Sequence, residues 1–395
     1  MKLIVQKFGG TSVADTSSLK IVAERIIDRK KEGYEVVVVP SAMGSSTDEL
    51  IDLANELSEQ PTPREMDMLL SAGERITMSL LSMHLNSLGH NSFSLTGSQA
   101  GIITTSRHGK AEIEEISGER VREGIERGDI VIVAGFQGFN RDTREITTLG
   151  RGGSDATAVA LAAALGAEKC EIFTADPRII DSAKLIDEIT YDEMLEMSSS
   201  GAGVLMARSV EFGRRYNVPI IVKSTFTNNK GTVVKEKTME EAIVSGVTHN
   251  DKEVKFTLFG VPDQPGIAGT VFGSLSEIGT NVDMIVQNVS KESITDISFT
   301  APSEQQKDVE DALKNISKQL DAKGYDVDEN IARISIIGAG MKSESGVASK
   351  MFKTLGDNKI NISMISTSPI RVSCVISSND IEKALNVLHE EFITN

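Results

Sequence analysis

Four consecutive valines, Val36-Val37-Val38-Val39, constrain the fold more than any other stretch of the chain. A strand with one face in water alternates apolar and polar residues. An unbroken β-branched run has no polar face to offer and belongs in a sheet covered on both sides. Leu3-Ile4-Val5, Ile130-Val131-Ile132-Val133 and Val218-Pro219-Ile220-Ile221-Val222 read the same way. Helical patterns lie between these runs, for example Leu19, Ile21, Val22, Ile26 and Ile27 within 18–31. From residue 1 to about 226 the alternation predicts an α/β domain with a mostly parallel sheet sandwiched by helices. Such sheets bind ligands where loops leave the C-terminal strand ends. Lys7-Phe8-Gly9-Gly10-Thr11-Ser12, the segment 40–47 and Ala134-Gly135-Phe136 all occupy that position and are expected to share one crevice.

A further glycine loop, Thr147-Thr148-Leu149-Gly150-Arg151-Gly152-Gly153-Ser154-Asp155, runs into an alanine-rich segment that stops at Gly166. Ser154 or Asp155 is the expected N-cap and Gly166 the expected stop. Glycines allow close approach of backbone to ligand, and a helix start offers unpaired N–H groups. Arg151 among them is a bidentate partner for a carboxylate or phosphate. An anion is expected here.

Composition narrows the partners. A net charge of −16 argues against nucleic acid or an anionic membrane surface. No apolar run approaches the roughly 20 residues of a membrane span, and the N-terminus does not read as a signal peptide. The two cysteines, Cys170 and Cys374, lie far apart; they fit a reducing cytoplasm and offer no metal cluster. The chain is read as cytoplasmic.

The chemistry follows from what is present and what is missing. No Walker A pattern, kinase glycine-rich loop or G-x-G-x-x-G follows a strand, and no histidine sits in these glycine loops. His108, in Arg107-His108-Gly109, reads as a loop residue rather than a base. Phosphoryl transfer to a hydroxyl usually wants a base, whereas a carboxylate acceptor is already ionised near neutrality. Such a reaction needs cations and N–H donors to bring two anions together. Lys7 beside Gly9-Gly10, Arg151 and Mg2+ would suit that task, and Glu74 could hold a substrate ammonium group.

Past a polar stretch at 227–241, read as the linker, the sequence repeats itself at an offset of eighty residues. Gly266-Ile267-Ala268 recurs as Gly346-Val347-Ala348, and Asn281-Val282-Asp283-Met284-Ile285 as Asn361-Ile362-Ser363-Met364-Ile365. Each copy reads strand, glycine loop, helix, strand, strand, helix. Two copies predict a paired, pseudo-symmetric module rather than a solenoid.

Lys7-Phe8-Gly9-Gly10-Thr11-Ser12, Ser41-Ala42-Met43-Gly44, Arg64-Glu65-Met66-Asp67-Met68-Leu69-Leu70-Ser71-Ala72-Gly73-Glu74 and the 147–155 loop together resemble the aspartate kinase family, and the resemblance runs nearly end to end. It implies an amino-acid kinase fold over 1–240 and a paired α+β ferredoxin-like module of two ACT units, 241–330 and 331–395. It also implies that the segment near Gly246-Val247-Thr248 completes the second unit's sheet. The implied activity is ATP-dependent phosphorylation of the L-aspartate β-carboxylate, with Mg2+, inhibited by lysine, threonine or both. The implied assembly is a homodimer or larger, through the ACT units.

Carried onto matching positions, the family places Lys7 and Asp155 in catalysis, Lys7 on the transferring phosphoryl group and Asp155 orienting Lys7 or the substrate amine. Thr47, Glu74, Arg151, Gly152, Gly153 and Ser154 fall to aspartate, with Arg151 on its α-carboxylate. Lys7, Phe8, Gly9, Gly10, Ser41, Phe173 and Arg178 fall to ATP. Asp263, Gly266, Ile267, Ala268, Asn281, Val282, Asp283 and Gln287 form the implied effector site; no protein-bound metal is implied.

The pattern departs in places. Glu171-Ile172 runs straight into Phe173-Thr174 where the family carries a further Tyr-Thr-Asp-Val-x-Gly-Val segment with nucleotide contacts; this reads as a loop left out between Ile172 and Phe173. Gly203 stands where some members carry a nucleotide-binding lysine, and shorter gaps fall near 237–239 and 291–293. A silent amino-acid sensor with a crippled crevice and a glutamate kinase are the rival readings.

Overall fold

The computed structural model describes the chain except residues 1, 176–177, 237–241, 290–293, 343 and 395. The short gaps expected near 237–239 and 291–293, and Asp176-Pro177 of the Thr174–Arg178 motif, lie outside the described residues. The chain divides into two compact units, Met1–Ser199 with Gly203–Glu240, and Ser200–Ala202 with Glu241–Asn395.

The first unit opens with β1 (Lys2–Phe8), α1 (Thr16–Lys31), β2 (Tyr34–Pro40), α2 (Ser46–Leu57), α3 (Pro63–Ser87) and β3 (Ser92–Leu95). Then come β4 (Ile102–Thr104), β5 (Ile113–Ile116), α4 (Glu119–Glu126), β6 (Ile130–Val133), β7 (Gln137–Phe139) and β8 (Ile146–Thr148). It continues through α5 (Gly153–Leu165), β9 (Lys169–Thr174), β10 (Glu188–Thr190), α6 (Tyr191–Ser199), α7 (Ala207–Tyr216), β11 (Ile220–Ser224) and β12 (Thr232–Lys235).

An 8-stranded sheet runs β10-β12-β11-β9-β1-β2-β6-β3, and only the β11–β12 pair is antiparallel. Val36 to Val39 are all fully buried, as an unalternated run requires. β1, β2 and α1 share one apolar core with α3 and β6. The alanine-rich α5 packs against β1, β2 and β9 on one side and α7 on the other. It is buried from Gly153 through Ala162, so small side chains serve it where larger ones would not fit. A second, 4-stranded sheet, β5-β4-β7-β8, carries the 147–155 loop on its last strand. Among the described residues no helix is long and apolar enough to cross a membrane.

Three local expectations need correction. The N-cap of α5 is Gly152, in the left-handed region at φ 71, and Ser154 and Asp155 lie inside the first turn. Asp155 instead pairs with Lys7, and Ser154 packs against Gly135. The polar 227–241 stretch is not all linker: Gly231 turns the chain so that β12 pairs antiparallel with β11. Finally, no loop separates Ile172 from Phe173. β9 pairs with β1 without a break, Ile172 opposite Lys7 and Phe173 opposite Phe8, so Phe173-Thr174 simply end the strand.

The second unit comprises β13 (Gly246–Asn250), β14 (Glu253–Pro262), α8 (Ile267–Glu277), β15 (Ile285–Val289), β16 (Ile294–Pro302), α9 (Gln306–Gln319) and β17 (Gly324–Asp328). It ends with β18 (Ile331–Ile337), α10 (Val347–Asp357), β19 (Met364–Ser368), β20 (Arg371–Ser377) and α11 (Ile381–His389). The two repeats build two sheets, β15-β16-β14-β17 and β13-β18-β20-β19. β13 precedes the first repeat in sequence yet pairs with β18 of the second. Met284 and Met364, equivalent positions of the repeat, meet in one buried cluster with Ile331 and Val375. The pseudo-symmetry is therefore physical as well as textual.

Candidate active site

The parallel order β9-β1-β2-β6 lines up the strand ends from which three of the sequence-predicted loops leave. Backbone hydrogen bonds lock those loops together. The Gly9 N–H donates to the Phe173 carbonyl (3.1 Å), the Ser41 N–H to the Phe8 carbonyl (2.9 Å) and the Gly44 N–H to the Gly10 carbonyl (3.1 Å). A Cβ on Gly10 would lie 3.1 Å from the Gly44 carbonyl oxygen and 3.2 Å from that of Ala42. Only hydrogen fits comfortably there. The Ser12 and Thr225 hydroxyls lie 2.6 Å apart and tie in the end of β11.

Lys7 and Asp155 face each other in this frame. Lys7 Nζ lies 2.5 Å from Asp155 Oδ1, with both side chains about nine-tenths buried. Lys7 is held by the register of β1, and Asp155 by the first turn of α5, where a carboxylate also suits the helix dipole. Removing one member of a buried pair strands the other charge. Ser154 is buried with its hydroxyl against Gly135, whose added Cβ would sit 2.7 Å from Ser154 Oγ. The Phe136 N–H donates to Thr157 Oγ1 (3.2 Å), so the loop after β6 is anchored to α5 as well.

Glu74 enters from α3. The helix approaches the 41–44 loop so closely that a Cβ on Gly73 would lie 2.8 Å from the Ala42 Cβ. Glu74 is buried; its Oε1 accepts the Ala42 N–H at 3.2 Å, and its Oε2 has no hydrogen-bond partner among the described residues. Burial pushes its carboxyl up to about 7. A buried carboxylate oxygen with nothing to accept is prepared for a donor from outside.

The remaining predicted positions are distributed unevenly. Thr47, in the first turn of α2, and Ser41 are half-buried, and Arg178 is exposed beyond β9. Phe8 and Phe173 stack at 4.7 Å between centroids inside the core, so they offer the crevice backbone rather than rings. Arg151 is exposed and has no carboxylate partner among the described residues. It lines a cavity of about 1160 Å3 with Lys110, Leu149, Arg208 and Phe212, a cavity that Lys7 and Glu74 do not line. Gly152 is pressed against Met206, where an added Cβ would come within 1.7 Å of Cγ. Among the described residues no group of three or more His, Cys, Asp or Glu side chains is placed to hold a metal ion.

In the second unit, Gly266 adopts φ 96 and caps α8, with Asp263, Ala268, Asn281, Asp283 and Gln287 exposed and Ile267 and Val282 half-buried. Asp283 is committed to an ion pair with Arg333, which also holds Glu253 at 2.8 Å. Arg333 is fully buried, and sequence reasoning missed it. The available signal was an arginine interrupting the apolar run Ile331-Ala332-Arg333-Ile334-Ser335-Ile336-Ile337.

Known proteins match the chain along nearly its whole length. The chain matches the amino acid kinase family over residues 2–224 and the ACT domain over 256–321 and again over 334–392. It is thus a carboxylate- or amino-acid-directed kinase domain followed by a doubled regulatory module. An aspartokinase of Mycolicibacterium smegmatis is 48% identical over 405 residues, covering 99% of this chain and 96% of that one. The aspartate kinase of Pseudomonas putida is 45% identical over 402 residues, with coverages of 99% and 98%. The crystal structure of E. coli aspartokinase III in complex with aspartate and ADP superposes with a TM-score of 0.85 at 25% identity, over all of both chains. The chain belongs to the aspartokinase family. Its reaction is ATP-dependent phosphorylation of the aspartate β-carboxylate, the first step toward lysine, threonine and methionine.

Proposed function

We propose the following division of labour in the crevice. MgATP enters as the nucleotide substrate, its Mg2+ carried on the phosphates. Lys7 neutralises the transferring phosphoryl group while Gly9 and Gly10 let the backbone approach the phosphates; Ser41 and Arg178 contact the nucleotide, with Phe8 and Phe173 contributing main chain. The aspartate α-ammonium donates to Glu74, Arg151 takes the α-carboxylate, and Thr47, Gly152, Gly153 and Ser154 complete the pocket. A β-carboxylate oxygen forms the new bond to the γ-phosphorus as the bond to the ADP oxygen breaks. No base is required, because the acceptor is already ionised. Asp155 orients Lys7.

The observation that carries this reading is the buried Lys7–Asp155 pair, together with a buried carboxylate oxygen of Glu74 that no described residue satisfies. Hydroxylamine trapping of the acyl phosphate, with aspartate and glutamate compared at equal MgATP, tests it. Turnover confined to aspartate is expected, and equal turnover of glutamate would overturn the assignment.

The reading extends to regulation. Lysine, threonine or both bind at Asp263, Gly266, Ile267 and Ala268 against Asn281, Val282, Asp283 and Gln287, the effector carboxylate at the start of α8. The ACT units pair across chains in at least a dimer, and the protein works in the cytoplasm.

A further inference from the structure

Asp67 is almost completely buried at 1% exposure, and it is not part of the site described above. It lies on α3 seven residues before Glu74, which is about two turns and therefore the same face. Its Oδ1 accepts the Thr148 hydroxyl at 2.5 Å and the Gly109 N–H at 3.0 Å. Its Oδ2 lies 2.6 Å from His108 Nδ1. The far nitrogen of His108 lies 3.2 Å from Glu145 Oε2, and Glu145 Oε1 accepts Arg64 Nε at 2.8 Å, which returns the chain of contacts to the start of α3.

Thr148 is the last residue of β8, three before Arg151. The Ala111 N–H donates to the Thr148 carbonyl at 2.9 Å, and the Leu149 N–H to the Phe136 carbonyl at 2.8 Å. A Cβ on Gly150 would lie 2.9 Å from the Gly109 carbonyl oxygen. The 107–111 segment and the root of the 149–153 loop are thus laid together beneath one carboxylate. Apolar side chains of the same shape would fill this space without the cost of burying a carboxylate. What a carboxylate adds is direction, since each oxygen fixes its donors in angle as well as distance.

We propose that Asp67 is a positioning residue that sets the spacing between the two ends of the amino-acid subsite. It bolts the helix bearing Glu74 to the strand that launches Arg151, and so gauges the separation of a substrate's α-ammonium from its α-carboxylate. This rests on the reading of Glu74 and Arg151 as the groups that receive those two charges. The clamp acts on the amino acid and leaves the nucleotide side, built on β1, β2 and β9, untouched.

The test is steady-state kinetics of Thr148→Val, Thr148→Ser and Asp67→Asn, with aspartate varied at saturating MgATP and the reverse. Thermal unfolding is followed on the same samples. Losing one charge-assisted hydrogen bond should raise KM for aspartate roughly tenfold in Thr148→Val while KM for ATP stays within about twofold. Thr148→Ser, which keeps the hydroxyl, should restore the original value. Asp67→Asn, which retains one acceptor oxygen, should fall between. A folded Thr148→Val with an unchanged aspartate KM, or with both KM values raised together, overturns the clamp. Arg151→Ala in the same assay separates the layers. An unchanged aspartate KM there overturns the role given to Arg151, whereas a raised one beside a normal Thr148→Val overturns the clamp alone.

Discussion

Each unit places a left-handed glycine immediately before a helix, and the two do so under opposite packing. Gly152 caps α5 at φ 71 with Met206 pressed against it, while Gly266 caps α8 at φ 96 with no described residue within 4 Å of an added Cβ. Gly346, its repeat, is equally open among the described residues. The first glycine answers two demands, conformation and room; the second answers only one. In the first turn of α5, which follows Gly152, Asp155 is buried and already paired with Lys7, so these two groups are oriented before substrate arrives. Around Gly266 the polar side chains stand in solvent. A catalytic site gains from being built in advance. A regulatory site has to respond, and an open turn at a helix start can be occupied or vacated without disturbing a core.

The contrast can be broken most sharply at Lys7. Lys7→Ala should lower kcat by on the order of 10²- to 10³-fold, read by hydroxylamine trapping, since it removes a preorganised cation and leaves Asp155 buried alone. A drop below tenfold would show that the pair is structural. On the open side, Asp263→Ala should raise the effector concentration for half-inhibition by roughly 10- to 100-fold, with uninhibited turnover within about twofold, as expected for one charged contact. Retained inhibition would move the effector site elsewhere.

Glu74 offers a pH test. Its carboxyl, raised to about 7 by burial, must be ionised to receive an ammonium group. KM for aspartate should therefore rise as pH falls below about 7, approaching tenfold per unit, while KM for ATP stays flat. Glu74→Gln should abolish the slope, and a slope that survives belongs to another group. The same shift has a stability consequence of opposite sense. The folded state binds the proton more tightly than the unfolded chain, so Glu74 costs stability progressively as pH rises from its ordinary 4.5 to about 7. The smallest effects compare the glycines directly by thermal unfolding. Gly266→Ala should cost about 1–2 kcal/mol, backbone strain alone. Gly152→Ala should cost about 2–5 kcal/mol, strain plus overpacking against Met206. Equal losses would erase the distinction.

Much of this was legible before the structure. Val36-Val37-Val38-Val39 required a doubly covered sheet, and the eighty-residue repeat required a paired module, because burial and pseudo-symmetry are written in residue type and spacing. Lys7 and Glu74 could be singled out for the same reason, one ending a buried run beside glycines and the other closing a helical motif. The sheet β5-β4-β7-β8 could not be read, since strands of three or four residues carry too little periodicity. The Asp67–Thr148 bond joins residues 81 apart in sequence and leaves no local mark. β12 hid in polar text because a hairpin partner gains its place from its neighbour rather than from its own composition. The cap of α5 was misassigned for a related reason. Ser154 and Asp155 favour capping locally, but Asp155 pairs with Lys7 and Ser154 packs against Gly135.

β13 has a consequence for the order in which the protein can be made. The strand is translated before the first ACT repeat, and its partner β18 comes after it. The first repeat is therefore an insertion inside the second. On the ribosome, Glu253 to Asp328 can close its own sheet while β13 waits with unpaired N–H and C=O groups, an edge open to any other chain nearby. A message cut short between the repeats would release a kinase unit trailing one finished ACT sheet and one sticky strand. A fragment starting at β18 would carry the complementary vacancy. The nesting makes β18 and the strands that pair beyond it the last pieces to seal.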